Sequence, residues 1–327
     1  MNVSIQDIKK LRELTQAGMS DCKKALEETD SFDAAVKWIR EKFTKIAAKR
    51  EAREAAQGIV IAQTEGSFGA IMALKCETES VANNDRFQEL AKNIMALIMT
   101  KKPADTAALL ALPLEESTVA DVITERSGAC GEKMEVVFDF VEGPSVVAYN
   151  HFNHMLSAVV AFNQEVATDG LKEVACQVAA MNPLAVNADE IPQAKKDEEL
   201  ELAVKKTKEE QVEKAVAAAL KKAGLNPNHF DSEDHIESNT AKGWITAEEA
   251  AKGREIMAAT AAEKSANLNE GMIQNIAKGR MAKFFKENCL VEQEFISDSK
   301  LSVQQYMDSV SKGLTATAFK RINLNQD

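Results

Sequence analysis

One strand-to-helix junction constrains the fold of this chain more than any other feature. Before it, apolar residues alternate over 67–76 with the period of a half-buried strand. After it, apolar residues recur at helical spacing over 87–98, and Asn84 or Asp85 supplies a side-chain oxygen for the helix N-cap. Glu79 is therefore expected at an exposed tip, from which its carboxylate can reach a cation or another protein's phosphate-and-metal site.

The segments around this junction predict an α+β unit over 57–163. Strands over 58–64 and 67–76 flank a Glu-Gly pair that is typical of a hairpin turn. The junction helix ends before Pro103, and further strands follow. The predicted elements are a helix over 85–100, a helix-loop-helix over 105–129, strands over 134–141, 146–150 and 155–162, and a helix over 169–181.

The first 56 residues predict a small module of three helices. Ser4 and Asp7 are typical of an N-terminal cap, and Gly18 interrupts the helical pattern. About 50 residues is near the lower limit for an independent fold. Met19 follows the glycine, where it belongs either to the core or to an exposed docking surface. The basic residues of 37–53 indicate a solvated linker helix or a basic arm for an acidic partner.

Residues 191–266 differ in composition and predict a helical arm. A run rich in Lys, Glu and Ala covers 198–223 with one narrow apolar stripe, and Gly224 ends it as a C′ glycine. At about 1.5 Å per residue this helix is about 39 Å long. Thr246 and Glu249 form a capping box that begins a second helix. The two stripes predict an antiparallel coiled coil, which is also a candidate surface for a homodimer.

After the arm, the pattern predicts that the chain returns to the core. The apolar residues Met272, Ile276, Met281 and Phe285 lie on a helix that is expected to lead back to the core. The remaining predicted elements are a strand over 290–296, a helix over 303–312 and a strand over 315–324.

The charge and the cysteines of the chain limit its partners and its compartment. The formal net charge of −11 argues against a general affinity for nucleic acid or for an anionic membrane. The five cysteines are far apart and include no C-x-x-C pair, which is typical of reduced thiols in the cytoplasm. We expect neither a secretion signal nor a membrane-spanning segment.

The sequence indicates no catalytic centre. It contains neither a phosphate-binding glycine motif nor a nucleophile elbow, so we expect no enzymatic activity and no cofactor. His151 and His154 form an H-x-x-H pair, but on a strand or loop this spacing lacks the helical geometry of a zinc site. We expect no metal site; a metal-dependent enzyme that uses this pair is an alternative that metal analysis would test.

The junction resembles the T-D-F-V-A signature of the elongation factor Ts family. Thr78, Val81 and Ala82 match this signature. Glu79 stands where the family has Asp, and Ser80 stands where it has Phe. Glu keeps the charge and adds one methylene of reach, whereas Ser removes an aromatic side chain.

Two further segments strengthen this resemblance. Residues 11–26 are similar to the opening motif of the family, with Gln16 in place of the usual Gly. Residues 279–284, followed by Leu290, Gln293 and Phe295, are similar to its C-terminal block. Three signatures in the right order are a specific match, which covers residues 1–190 and 267–324.

The resemblance implies an α+β fold with four parts. Two core subdomains with antiparallel sheets are expected. Many members of the family carry a further C-terminal helix that docks on the partner, and we expect this helix to be missing here. The implied parts are a three-helix, ubiquitin-associated-like domain with its linker helix over 1–56, a core N-subdomain over 57–145, a core C-subdomain over 146–190 and 267–327, and the inserted coiled-coil arm over 191–266.

The resemblance also implies a function, which is exchange of the guanine nucleotide on elongation factor Tu. The chain is expected to bind this partner in its GDP-bound and nucleotide-free forms and to promote GDP release by disturbing the partner's Mg²⁺ and phosphate site. The implied contact residues are Thr78, Glu79, Ser80, Val81 and Ala82 at the junction, Arg12, Gly18, Met19 and Lys23 in the N-terminal module, and His151 in the C-subdomain. The N-terminal module alone leaves a second reading open, namely a ubiquitin-associated-type adaptor or a nascent-chain-binding protein.

Overall fold

The structure, a computed structural model, describes residues 3–325. The first two residues of the predicted 1–56 domain and the last two of the predicted 267–327 segment therefore lie outside it. Helices combine with antiparallel sheets, which confirms the predicted α+β class. Among the described residues, no helix is both long enough and apolar enough to cross a membrane. The chain forms two units, Met1–Val186 with Gln293–Asp327, and Asn187–Glu292.

Three helices begin the first unit, as the sequence predicts. Ser4 and Asp7 form the expected capping box, in which each side chain accepts a hydrogen bond from the other residue's backbone N–H. Side chains such as Leu11, Leu26 and Ile39 are fully buried in one small core shared by the three helices. The helices are α1 (Ile5–Thr15), α2 (Met19–Glu28) and α3 (Phe32–Arg50).

The hairpin, the junction and the mixed helices and strands follow. Most bounds agree with the predicted ones to within a few residues, but a one-turn helix at the junction and a short hairpin after Leu112 had no sequence signal. The elements are β1 (Gln57–Glu65), β2 (Phe68–Cys76), α4 (Glu79–Ala82), α5 (Asp85–Lys101), α6 (Thr106–Leu110), β3 (Pro113–Leu114), β4 (Ser117–Thr118), α7 (Val119–Cys130), β5 (Glu135–Glu142), β6 (Ser145–Asn150), β7 (Leu156–Phe162) and α8 (Lys172–Met181).

The second unit is helical, and its longest helix packs against two others rather than one. The predicted polar segment after Gly224 contains a helix of its own. The helices are α9 (Gln193–Lys222), α10 (Glu233–Ala241), α11 (Ala247–Ala266) and α12 (Glu270–Asn288), with 3₁₀ turns at Ala188–Glu190, Pro227–His229 and Leu290–Glu292.

Helix α12 belongs with the second unit, whereas the sequence placed residues 267–292 with the core. Met272 is exposed, and the buried face of α12 carries Ile273 and Ala277. Glu210 of α9 accepts a hydrogen bond from Arg280 of α12 at 2.6 Å. The difference arises because small and β-branched residues, rather than the Met and Phe side chains, form the packed stripe.

The chain then completes the first unit with β8 (Glu294–Phe295), β9 (Asp298–Ser302), α13 (Val303–Val310) and β10 (Ala316–Asn323). The predicted strand over 290–296 is thus a 3₁₀ turn at Leu290–Glu292 followed by the two-residue strand β8. Strand β10 joins β7 and β6 in one antiparallel sheet, and β1, β2 and β5 form another.

Strand β2 is the centre of this unit, because both of its faces are buried. Met72 and Leu74 pack with α5 and α7, whereas Ile71 and Ala73 join a second cluster with residues of the other sheet. The sequence predicted a half-buried strand, because only one set of its alternate residues was interpreted as the apolar face. Burial on both faces fixes the position of the β2 C-terminus, where the junction begins.

Helices α3 and α7 approach most closely at Gly128. A Cβ atom at this position would lie 2.3 Å from the Cβ and 2.5 Å from the Cα of Phe43, so no side chain fits there. This close approach joins the helix of the N-terminal module to the core of the first unit.

We predict that Gly128→Ala destabilises this unit. The gain in helix propensity is about 1 kcal/mol, but overpacking against the Phe43 backbone costs about 1–3 kcal/mol and moves α3. Urea unfolding followed by Trp38 fluorescence, in a Trp244→Phe background, measures the effect. Gly279→Ala is the control, since nothing lies within 4 Å of its added Cβ. An unchanged midpoint for Gly128→Ala would show that the crossing is not tight.

Candidate functional site

The junction contains a one-turn helix between the strand and the long helix. Thr78 caps this helix, and its Oγ1 accepts a hydrogen bond from the Val81 N–H at 3.4 Å. Asn84 then caps α5 by accepting from the Arg86 N–H at 3.0 Å, so of the two predicted caps Asn84 is the one used. The two caps set the direction of every side chain between them.

The helical turn sorts the five predicted junction residues into an inner and an outer set. Ala82 is buried, and Val81 is half-buried against the core around α5. Glu79 and Ser80 are exposed, as the sequence analysis expects for a tip. The Glu79 carboxylate has one weak contact, an Asn83 amide at 3.5 Å, so it is available to a partner.

Two carboxylates fasten the start of the junction to the loop after α7. Glu132 accepts from both the N–H and the Oγ1 hydroxyl of Thr78, at 3.0 and 2.7 Å. Glu77 in return accepts from the N–H of Lys133 at 2.7 Å. We call these four residues, Glu77, Thr78, Glu132 and Lys133, the carboxylate clasp. The Cys76 thiol adds a bond to the Thr78 carbonyl at 3.3 Å.

The clasp also holds the end of the linker helix. The guanidinium groups of Arg53 and Arg50 lie 3.3 and 3.7 Å from the Glu77 carboxylate, whose side chain is only 14% exposed. The hydrogen bond from the Lys133 N–H, followed by the two arginines, lowers the pKa of Glu77 below its ordinary value. Burial, with the nearby Glu132 charge, raises the pKa of the Cys76 thiol to about 12, so this thiol stays protonated.

Two residues predicted in the N-terminal module face the junction across a shared surface. Arg12 and Met19 line a groove of about 400 Å³, and Met19 is 41% exposed rather than part of the core. Ser80 and Val81 line an adjoining groove of about 280 Å³. Gln16 and Arg86 line both grooves, so we treat them as one surface, the module–junction groove.

Gln16 occupies a position that favours glycine. It ends α1 in the left-handed conformation, with φ of 63°, where a glycine has no steric penalty. The resemblance implies Gly at this place, and the structure gives the physical reason. Its side-chain amide donates to the Glu13 carbonyl at 2.7 Å, which satisfies one carbonyl at the helix end.

The other predicted contact residues lie outside this groove. Gly18 caps α2 with φ of −60°, and Lys23 makes an exposed ion pair with Glu27 at 3.7 Å. His151 lies in the turn between β6 and β7, where its Nδ1 is 2.9 Å from the Tyr149 hydroxyl. Its neighbour Phe152 is 84% exposed.

The H-x-x-H pair lies within one tight turn. His154 has a left-handed φ of 57° and donates its backbone N–H to the His151 carbonyl at 3.0 Å. Within the range that the structure describes, no group of three or more His, Cys, Asp or Glu residues is arranged to hold a metal ion.

Comparison with known proteins agrees with this architecture. The family model described as Elongation factor TS matches residues 77–228 and 218–326. Proteins named Elongation factor Ts from Bacteroides fragilis and Bacteroides thetaiotaomicron are 51% and 48% identical to this chain, and one from Porphyromonas gingivalis is 39% identical. Each of these alignments spans 330 positions and covers 100% of both proteins.

The α+β core with its exposed junction, taken with these matches, defines an elongation factor of protein biosynthesis. The chain belongs to the elongation factor Ts family.

We predict that the clasp contributes less to stability in acid. Because the folded pKa of Glu77 is lowered, its contribution is complete above the ordinary value of 4.5 and is lost as the pH falls through the folded pKa. Arg50 and Arg53 keep their charge throughout. Glu77→Gln should therefore lower the free energy of unfolding at neutral pH and have a smaller effect in acid, as measured by urea unfolding.

The matched control for this experiment is Glu65→Gln. Glu65 is an exposed carboxylate at the opposite end of the β1–β2 hairpin, opposite Phe68. A destabilisation by Glu77→Gln that stays constant across the pH range would contradict the assignment of the titration to Glu77.

Proposed function

We propose that this chain is a guanine-nucleotide exchange factor, which binds elongation factor Tu in its GDP-bound and nucleotide-free forms. It works in the cytoplasm without a catalytic centre or a cofactor of its own. One observation carries the proposal: Glu79 and Ser80 are exposed on a turn whose preceding and following residues are capped, clasped or buried. Such a turn presents a charged tip that does not need to be ordered when the partner binds.

The proposed mechanism is a coupling of two binding equilibria. If the chain weakens the binding of GDP to elongation factor Tu, GDP must weaken the binding of the chain by the same factor. A thousandfold faster release corresponds to a barrier lower by about 4 kcal/mol. A carboxylate pushed towards a bound Mg²⁺ and phosphate supplies part of this energy, since it competes for the metal and repels the phosphate.

The Glu79-Ser80 pair changes how the tip acts. The family resemblance implies an Asp-Phe pair, and full burial of a Phe is worth about 1.5–3 kcal/mol. Ser80 cannot supply that energy. The half-buried apolar side chains beside it in the module–junction groove, Val81 and Met134, offer a surface for the partner instead. The charge of Glu79 and the contacts of the groove therefore both contribute to GDP release.

The groove also supports docking by the N-terminal module. Arg12, Met19 and Arg86 give it a cationic rim with one flexible apolar side chain, which suits an acidic helix or loop of the partner. Gly18, Lys23 and His151 remain predicted contacts on other surfaces. The net charge of −11 supports the absence of direct nucleic-acid binding, which stays a prediction. Pairing of two copies through the second unit also stays a prediction.

We predict that Glu79→Ala slows the release of GDP from elongation factor Tu. Loss of the charge at the metal site should lower the maximal release rate about tenfold, equivalent to about 1.4 kcal/mol. Glu79→Asp, which restores the family residue, should retain most of the activity. Stopped-flow fluorescence of a labelled GDP, at increasing concentrations of the chain, gives the maximal rate and the half-saturating concentration.

Glu65→Ala is the control, because it removes an equally exposed carboxylate from the other end of the hairpin. If the Glu79→Ala variant promoted GDP release as fast as the wild type, the junction would not be the element that displaces the nucleotide. An adaptor or a nascent-chain binder would leave the release rate unchanged even in the wild type.

A further inference from the structure

We infer that Glu77 and Glu132 are positioning residues for nucleotide exchange, which act through Glu79 although neither is part of the exposed tip. This inference rests on the proposed function, since it assigns to the clasp the task of holding the charged tip at a fixed angle for the partner.

The Thr78 side chain links the clasp to the tip. Its hydroxyl donates to Glu132 at 2.7 Å and at the same time accepts from the Val81 N–H as the cap of α4. The orientation of the one-turn helix that carries Glu79 therefore depends on where the Glu132 carboxylate holds this hydroxyl. A helix of one turn has too few internal hydrogen bonds to keep its direction alone.

The reciprocal bond makes the clasp rigid from both sides. Glu77 holds the backbone of Lys133, while Glu132 holds the backbone of Thr78, so each carboxylate fixes the residue that follows the other carboxylate. Neither segment can shift without breaking charge-assisted hydrogen bonds. Arg50 and Arg53 add a third segment, the end of the linker helix that leads from the N-terminal module.

The positions of Thr78 and Glu132 favour a local role for their half of the clasp. Thr78 is exposed and Glu132 is only half-buried, while the apolar core around β2 and α5 is complete without them. A change in the clasp should therefore loosen the tip and leave the rest of the unit folded. Binding through the module–junction groove should persist, because its lining side chains belong to α1, α5 and α7 as well as to the junction.

The test uses Glu132→Gln, alone and combined with Glu79→Ala, in the full-length chain. An amide can accept from only one of the two Thr78 donors, because its NH₂ group would face the other. We expect Glu132→Gln to lower the maximal rate of GDP release about tenfold and to leave the half-saturating concentration unchanged. In the Glu79→Ala background it should have no further effect, because both changes remove the same action.

Hydrogen exchange separates positioning from unfolding. Glu132→Gln should speed exchange at the Thr78 amide and leave amides in the middle of β2 unchanged. Glu77→Gln should speed exchange at the Lys133 amide. Glu116→Gln, an exposed carboxylate in the β3–β4 hairpin, serves as the control and should change neither rate nor exchange.

Three results would overturn the inference while the proposed function stands: a normal release rate for Glu132→Gln, effects of Glu132→Gln and Glu79→Ala that multiply, or a raised half-saturating concentration at an unchanged maximal rate. If the wild type itself left GDP in place, the proposed function and this inference would both fall.

Discussion

The site depends on reciprocal hydrogen bonds between two segments, 77–78 and 132–133, in which the carboxylate of each segment accepts from the backbone of the other. When a strand ends at the surface and continues into a single helical turn, that turn can point in many directions. Here Glu132 binds both donors of Thr78, and Glu77 binds the backbone of Lys133, so one direction is selected. This direction turns Ala82 into the core and leaves Glu79 in solvent.

The rest of the first unit supplies fixed anchors for these bonds. Strand β2 is buried on both faces, so its end does not move, and α7 is fixed where Gly128 meets Phe43 of α3. The loop after α7 therefore meets the end of β2 at a defined distance. The same close crossing brings Arg50 and Arg53 to Glu77 and places the N-terminal module beside the tip.

Local patterns in the sequence sufficed for the hairpin, the capped helix α5 and the exposure of Glu79, because periodicity and caps act over a few residues. They could not indicate Glu132, which lies 54 residues from Thr78. Nor could they indicate that the alternate, smaller residues of β2 face a second sheet. In the second unit, the pattern of Met and Phe residues did not indicate the buried face of α12, which Ile273 and Ala277 form.

In the proposed mechanism, this chain and GDP oppose each other on elongation factor Tu through one rigid, charged tip. Calorimetric titration of the chain into nucleotide-free and GDP-saturated elongation factor Tu tests this most directly. We predict that GDP weakens binding of the chain by the same factor by which the chain weakens binding of GDP. Equal affinity for the two forms would contradict the account.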